Sequence, residues 1–196
     1  MNTNLAYQED WNDPLRRELI GGKLVMMSPA ATNHVIISGN IYRLFSNYLH
    51  GKPCTPIADG VTVYLTDEDH FVPDFMVVCD RDKLKGDGVH GTPDLVVEVL
   101  SPSTVKRDRT HKKDIYGRCG VREYWLVSPA DKTIEAYRNN GTELVLHEVY
   151  AVYPDWMLPR LTESERAAVV TQFKCSLFDD FDIPLDDIFS GLLPSE

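Results

Sequence analysis

Apolar residues in this chain fall into short blocks whose spacing switches between two and about 3.6, the periods of strands and helices. Arg17-Glu18-Leu19-Ile20, then Gly21-Gly22, then Lys23-Leu24-Val25-Met26-Met27, read as a hairpin with a glycine turn. After Ser28-Pro29, residues 34–50 place Val35, Ile37, Ile41, Leu44, Phe45 and Tyr48 at helical spacing, and Gly51-Lys52-Pro53 stops the helix. Strands are predicted over 57–65, 71–78 and 95–100, the first alternating around Val61, Val63 and Leu65. Ser101-Pro102-Ser103-Thr104 breaks the chain and offers a cap to a second helix over 106–119, ended by Gly120, with Asp108 near the positive end of its dipole. A strand over 123–127 follows, closed by Ser128-Pro129. Asn139-Asn140-Gly141 then turns a hairpin between 133–138 and 142–150.

The order is helix, three strands, helix, strand, with antiparallel additions at both ends, so the predicted class is α/β with a mixed sheet of α+β type. Beyond it, 154–159 reads as a loop carrying Trp156, Thr162-Glu163-Ser164-Glu165 as a capping box opening a short helix to 170, and 173–178 as a last strand. Leu185, Ile188, Phe189 and Leu192 form an apolar face expected to dock on the domain. A length of 196 residues with 43% hydrophobic content suits a single domain over 1–196, with 1–14 expected to be flexible and 173–196 a C-terminal strand and docking helix.

No apolar run approaches the length of a membrane span, and residues 1–14 are polar and acidic without a secretory pattern, so the expected location is the cytoplasm. The four cysteines, Cys54, Cys79, Cys119 and Cys175, form no Cys-x-x-Cys pair, which removes the common zinc and redox signatures; all are expected to be reduced thiols. A net charge of −10 argues against bulk electrostatic coating of nucleic acid, but Lys106, Arg107, Arg109, Lys112, Lys113, Arg118 and Arg122 concentrate positive charge around the second helix. That run is either a salt-laced surface or a local DNA contact, with Lys106, Arg107, Arg109 and Lys113 as its candidates.

Asp74 and Glu98 interrupt the apolar strands 71–78 and 95–100. A carboxylate buried there must be protonated, paired or bound to a cation, and two of them on adjacent strands form a cradle for a hard divalent metal. Strand alternation turns Asp94, Val96, Glu98 and Leu100 to one face, while Asp108, Lys112 and Tyr116 recur every four residues along one helix stripe that can meet it. A lysine beside a metal-bound water can orient the nucleophile and offset charge growing in a phosphoryl transition state. Structural alternatives stand beside these roles. Asp74 and Asp94 each follow a proline and can cap turns, and Glu98 can form a buried ion pair with Lys112 itself. Lys112 and Lys113 can be a solvated face, His34 a polar residue at a helix start, and Tyr116 core.

The element order, with Pro73-Asp74 on one strand and Glu98-Val99-Leu100 on the next, resembles the PD-(D/E)XK nuclease superfamily. More narrowly, the chain resembles the Uma-two family of restriction endonuclease-like proteins. The likeness is carried by the stretch 17–26, Pro73-Asp74, the stretch 93–104, Asp108 with Lys112 and Tyr116, and Gly120-Val121-Arg122-Glu123-Tyr124-Trp125, and it covers roughly 18–150. The resemblance implies that Asp74 and Glu98 bind Mg²⁺ or Mn²⁺, that the Val99 carbonyl completes the set, and that water attacks a DNA phosphodiester. Leu100 stands where the superfamily usually carries its lysine, and Lys112 matches the lysine of this family instead. His34 matches its frequent histidine and is placed near a phosphate or the metal shell, with Asp94, Asp108 and Tyr116 accessory. Residues 154–172 look inserted relative to the family. Double-strand cutting in the superfamily often pairs two sites, which makes a homodimer the expected assembly. The alternative is a nuclease-fold module that binds DNA or a protein partner without turnover, as net charge −10 and Leu100 would suit.

Overall fold

The computed structural model describes residues 16–194, so the expectation for 1–14 lies outside the described residues. The chain runs through β1 (Arg17–Ile20), β2 (Lys23–Met26), α1 (Thr32–Leu49), β3 (Thr55–Ala58), β4 (Val63–Tyr64), β5 (His70–Phe71) and β6 (Phe75–Val78). Next come β7 (Leu84–Lys85), β8 (Gly88–His90), β9 (Leu95–Val99), α2 (Val105–Arg107), a π-helical segment (Asp108–Lys112) and α3 (Lys113–Cys119). The remainder is β10 (Glu123–Ser128), β11 (Thr133–Asn139), β12 (Leu144–Ala151), α4 (Glu163–Ala167), β13 (Gln172–Lys174), β14 (Asp182–Pro184) and α5 (Leu185–Ile188). No described helix is long and apolar enough to cross a membrane.

The central sheet has the order β12-β11-β10-β9-β6-β3. Its β3, β6 and β9 are antiparallel, and the chain then crosses over through α2, the π segment and α3 to lay β10 parallel to β9. A parallel neighbour needs such a crossover, and the helix provides it. Strand alternation sorts the side chains. Phe75, Val77, Leu95, Val97, Val99, Trp125 and Val127 pack with Ile37, Ile41 and Phe45 of α1 on one face. Met76, Val78, Val96, Tyr124 and Leu126 pack on the other face with Ile115 and Tyr116, and with Val63, Phe71 and Val89 from a second sheet. The sheet is thus covered on both sides, which explains why its strands read as near-continuous apolar runs.

The second sheet, ordered β2-β1-β5-β4-β8-β7, alters two of the predicted strands. The stretch 57–65 divides between β3 in the central sheet and β4 in the second, because Gly60 turns the chain with φ of 103°. The stretch 71–78 divides likewise into β5 and β6, because Pro73 has no N–H for a ladder and breaks the run. Asp74 therefore stands at the corner where the chain enters the central sheet.

Two cysteines also depart from the expectation of reduced thiols. Cys54 and Cys79 form a disulfide, because the β3–β6 register, continued by one residue from Thr55↔Val78, sets them opposite each other; Cys119 and Cys175 are free. In the C-terminal part, α4 carries the expected capping box but stops at Ala167, and the predicted strand 173–178 is shorter, with β13 pairing β14. Leu185, Ile188 and Phe189 insert into the α1-side core as their spacing indicated.

At Gly117 the backbone of α3 lies against that of the hairpin at Glu143 and Leu144. A Cβ there would lie 2.9 Å from the backbone nitrogen of Leu144, which cannot rotate away. Gly117→Ala is expected to destabilise the protein by about 1–3 kcal/mol, read as a lowered midpoint in urea unfolding; an unchanged midpoint would mean that the helix shifts freely.

Candidate active site

Extending the Phe75↔Val97 register by one residue sets Asp74 directly opposite Glu98. Residues opposed across antiparallel strands point to the same face, about 4.5–5.5 Å apart at Cβ, and here that face looks toward the helix of residues 105–119. Both carboxylates are buried, Glu98 to 4% exposure. Asp74 Oδ2 accepts a hydrogen bond of 2.6 Å from the Val99 amide, and its Oδ1 lies 2.8 Å from His34 Nε2. His34 stands in the first turn of α1, so the helix start and the end of β9 both hold the same carboxylate.

Burial pulls the His34 pKa down, but the hydrogen bond and charge of Asp74 outweigh it, and the net shift is upward from 6.5. A histidine raised in the folded state adds stability that is fully present below its ordinary pKa and lost as pH rises through the raised value. His34→Gln is therefore expected to lower thermal stability at pH 6 and to have a smaller effect at pH 9. Melting curves at both values check this, and an equal loss at both would assign the effect to packing alone.

The helix begins as α2, widens into the π segment and resumes as α3. Segments of this kind recur at functional sites because they re-aim side chains within a helix, and this one buries both Asp108 and Lys112. Lys112 Nζ lies 2.9 Å from Glu98 Oε1, 2.7 Å from Glu18 Oε1 and 3.8 Å from Asp108 Oδ1. The Tyr116 hydroxyl donates to the same Glu98 oxygen at 3.0 Å. Glu18, absent from the sequence-derived site, is 1% exposed. Its signal lay in the alternation of β1, where it shares a face with Ile20, which packs on the core.

Acids outnumber bases in this cluster, and the titration shifts follow. Burial, then the charges of Asp108, Asp74 and Glu18, raise Glu98 well above the ordinary carboxylate range despite Lys112. Burial likewise raises Asp108 against the pull of Lys112. Burial alone would lower Lys112, but Glu98, Glu18 and Asp108 raise it, so its ammonium stays charged.

The cluster opens into a cleft of about 550 Å³, walled by the segments after β2, β9 and β10 and lined by Asp74, Glu98, Val99, His34, Lys112 and Asp108, among others. Of the candidate DNA contacts, Arg107 and Arg109 line the cleft. Arg109 pairs with Glu135 at 2.6 Å, and Arg107 stands 3.7 Å from Glu18 Oε2. Lys106 and Lys113 do not line it: Lys106 is exposed, and Lys113 lies over the Tyr137 ring. Tyr116 sits beneath Glu98 rather than in the cleft wall. Asp94 is a correction. It shares Glu98's parity but precedes β9, and it accepts from the Cys79 amide at 2.8 Å and faces Arg122, away from the cleft.

Among the described residues no group of three or more His, Cys, Asp and Glu has the spacing of a metal cage. What the cleft offers instead is two opposed carboxylates, Asp74 and Glu98, beside Val99. That matches Mg²⁺, which usually keeps several waters and takes one or two carboxylates plus substrate phosphate oxygens. Two buried acid oxygens, Glu18 Oε2 and Asp108 Oδ1, lack a hydrogen bond, and the excess of negative charge is of the kind a dication neutralises. The residues fit Mg²⁺ or Mn²⁺.

Comparison with known proteins gives a family model, Uma2, described as "Putative restriction endonuclease", that matches residues 5–170, a range that includes most of the segment read as an insertion. An uncharacterized protein of Synechocystis sp. is 32% identical over 136 residues, covering 67% of this chain and 72% of the relative. The crystal structure of a putative nuclease of DUF820 from Anabaena variabilis superposes with a TM-score of 0.66 at 19% identity, over 89% of each chain. The fold it shares is restriction-endonuclease-like.

Proposed function

This chain belongs to the Uma2 family of putative restriction endonucleases, and on that footing we propose that it is a metal-dependent endonuclease hydrolysing DNA phosphodiester bonds. The observation that carries the reading is the placement of Asp74 opposite Glu98 on neighbouring strands, with the Lys112 ammonium 2.9 Å from Glu98. Asp74, Glu98 and the Val99 carbonyl would hold Mg²⁺ or Mn²⁺. When bound, such an ion polarises the phosphate and lowers the pKa of the attacking water.

The protein groups supply the rest. Lys112 stays an ammonium, so it acts as a fixed positive charge beside the reacting phosphate rather than as a base. Tyr116 holds Glu98 from below, and the Val99 amide with His34 fixes the rotamer of Asp74. Arg107, on the cleft wall with its guanidinium 3.7 Å from Glu18 Oε2, would supply a cation to a backbone phosphate there.

The test is incubation of the purified protein with supercoiled plasmid and with single-stranded oligonucleotide, in Mg²⁺ or Mn²⁺ and with chelator. Metal-dependent nicking or cutting is expected. Binding without turnover under all conditions would replace this reading with that of a non-catalytic nuclease-fold module.

A further inference from the structure

Glu18 lies on the hairpin of the second sheet, outside the two strands that carry Asp74 and Glu98, yet it touches both halves of the site. Its Oε1 accepts from the Val72 amide at 3.0 Å, two residues before Asp74, and lies 2.7 Å from Lys112 Nζ. Glu98 receives Lys112 and Tyr116 on one oxygen, Oε1. An ammonium with only Glu98 as its close anionic partner would be drawn wholly to it, and that attraction competes with any cation seeking the same carboxylate.

We infer that Glu18 is a positioning residue of this site: it shares the Lys112 ammonium with Glu98 and so leaves a Glu98 oxygen available to a divalent cation, while its second bond pins the corner that delivers Asp74. The inference rests on the metal-dependent reading above. Glu18 acts through Lys112, not by touching the ion. The Val72 bond is kept in a glutamine variant, so loss of the Glu18 charge alone matters only while Lys112 is present.

The experiment is a double-mutant cycle read by Mn²⁺ binding, using calorimetry or the electron paramagnetic resonance of free Mn²⁺, on full-length protein without substrate. Glu18→Gln keeps shape and the acceptor but not the charge. It is expected to weaken Mn²⁺ binding by about 10- to 100-fold, as loss of groups that orient metal ligands does, and to have no further effect in a Lys112→Met background. An equal weakening in both backgrounds would mean that Glu18 acts as general negative charge or as packing, and would overturn the inference while leaving the metal site intact. No change in either background overturns it as well. Failure of the unaltered protein to bind Mn²⁺ would instead remove the metal-dependent reading beneath it. Should the Lys112 variant not fold, Glu18→Asp decides: it keeps the charge but withdraws its oxygens by a methylene. Weakened binding then supports the contact, and unchanged binding overturns it.

Discussion

Glu98→Gln is expected to reduce metal-dependent DNA cleavage by at least about a thousandfold while leaving the protein folded. The amide keeps an oxygen able to accept from Lys112 and Tyr116, so the buried cluster retains its geometry. It gives up the charge that a dication requires and presents an NH₂ group in its place. Burial already opposes ionisation of this carboxyl, whose pKa is raised in the fold. An acid raised in the folded state loses stability as pH climbs from the ordinary carboxylate range through its raised value. The glutamine variant, lacking that loss, should melt no lower than the parent at neutral pH in the absence of metal. Plasmid nicking and thermal melting on the same preparation check both halves, and residual cleavage equal to the parent would assign the activity to a contaminant.

Lys112→Met should show the opposite balance, with a large stability cost as well as loss of turnover. The ammonium is 2% exposed and is the close counter-charge for Glu18, Glu98 and Asp108. Breaking a buried ion pair from one side costs about 3–5 kcal/mol, because the remaining charge is left without compensation. The expected result is a loss of that order in urea unfolding at pH 7.5. The loss should shrink as pH falls, since Glu98 and Asp108, both raised in the fold, take up protons sooner than ordinary carboxylates and then no longer need the cation. A loss independent of pH would point to packing around the methionine.

How much of this was legible in the sequence depends on which physical rule each feature obeys. The two carboxylates interrupting apolar runs were readable as residues of adjacent strands, but that Asp74 and Glu98 face the same side follows only from the β6–β9 register. Parity misplaced Asp94 because it gives a face but not a position along the strand, and four residues are enough to carry a side chain out of the cleft. The stripe of Asp108, Lys112 and Tyr116 was readable from spacing alone, whereas the π segment that lets the first two turn inward has no sequence signature. Glu18 shares its face of β1 with Ile20, but a four-residue strand gives that alternation little weight in the sequence. The Cys54–Cys79 bridge spans 25 positions, and only the β3–β6 register brings its ends together.

The sheet-changing corner at Pro73 has a mechanical consequence. Phe71 is paired with Val63 in one sheet and Phe75 with Val97 in the other, so only three residues, with Asp74 the last of them, link the two ladders there. Sliding of one sheet over the other strains that short span more than the longer links at 59–62 and 91–94. A load that parts the two sheets would therefore fall on Pro73 and Asp74.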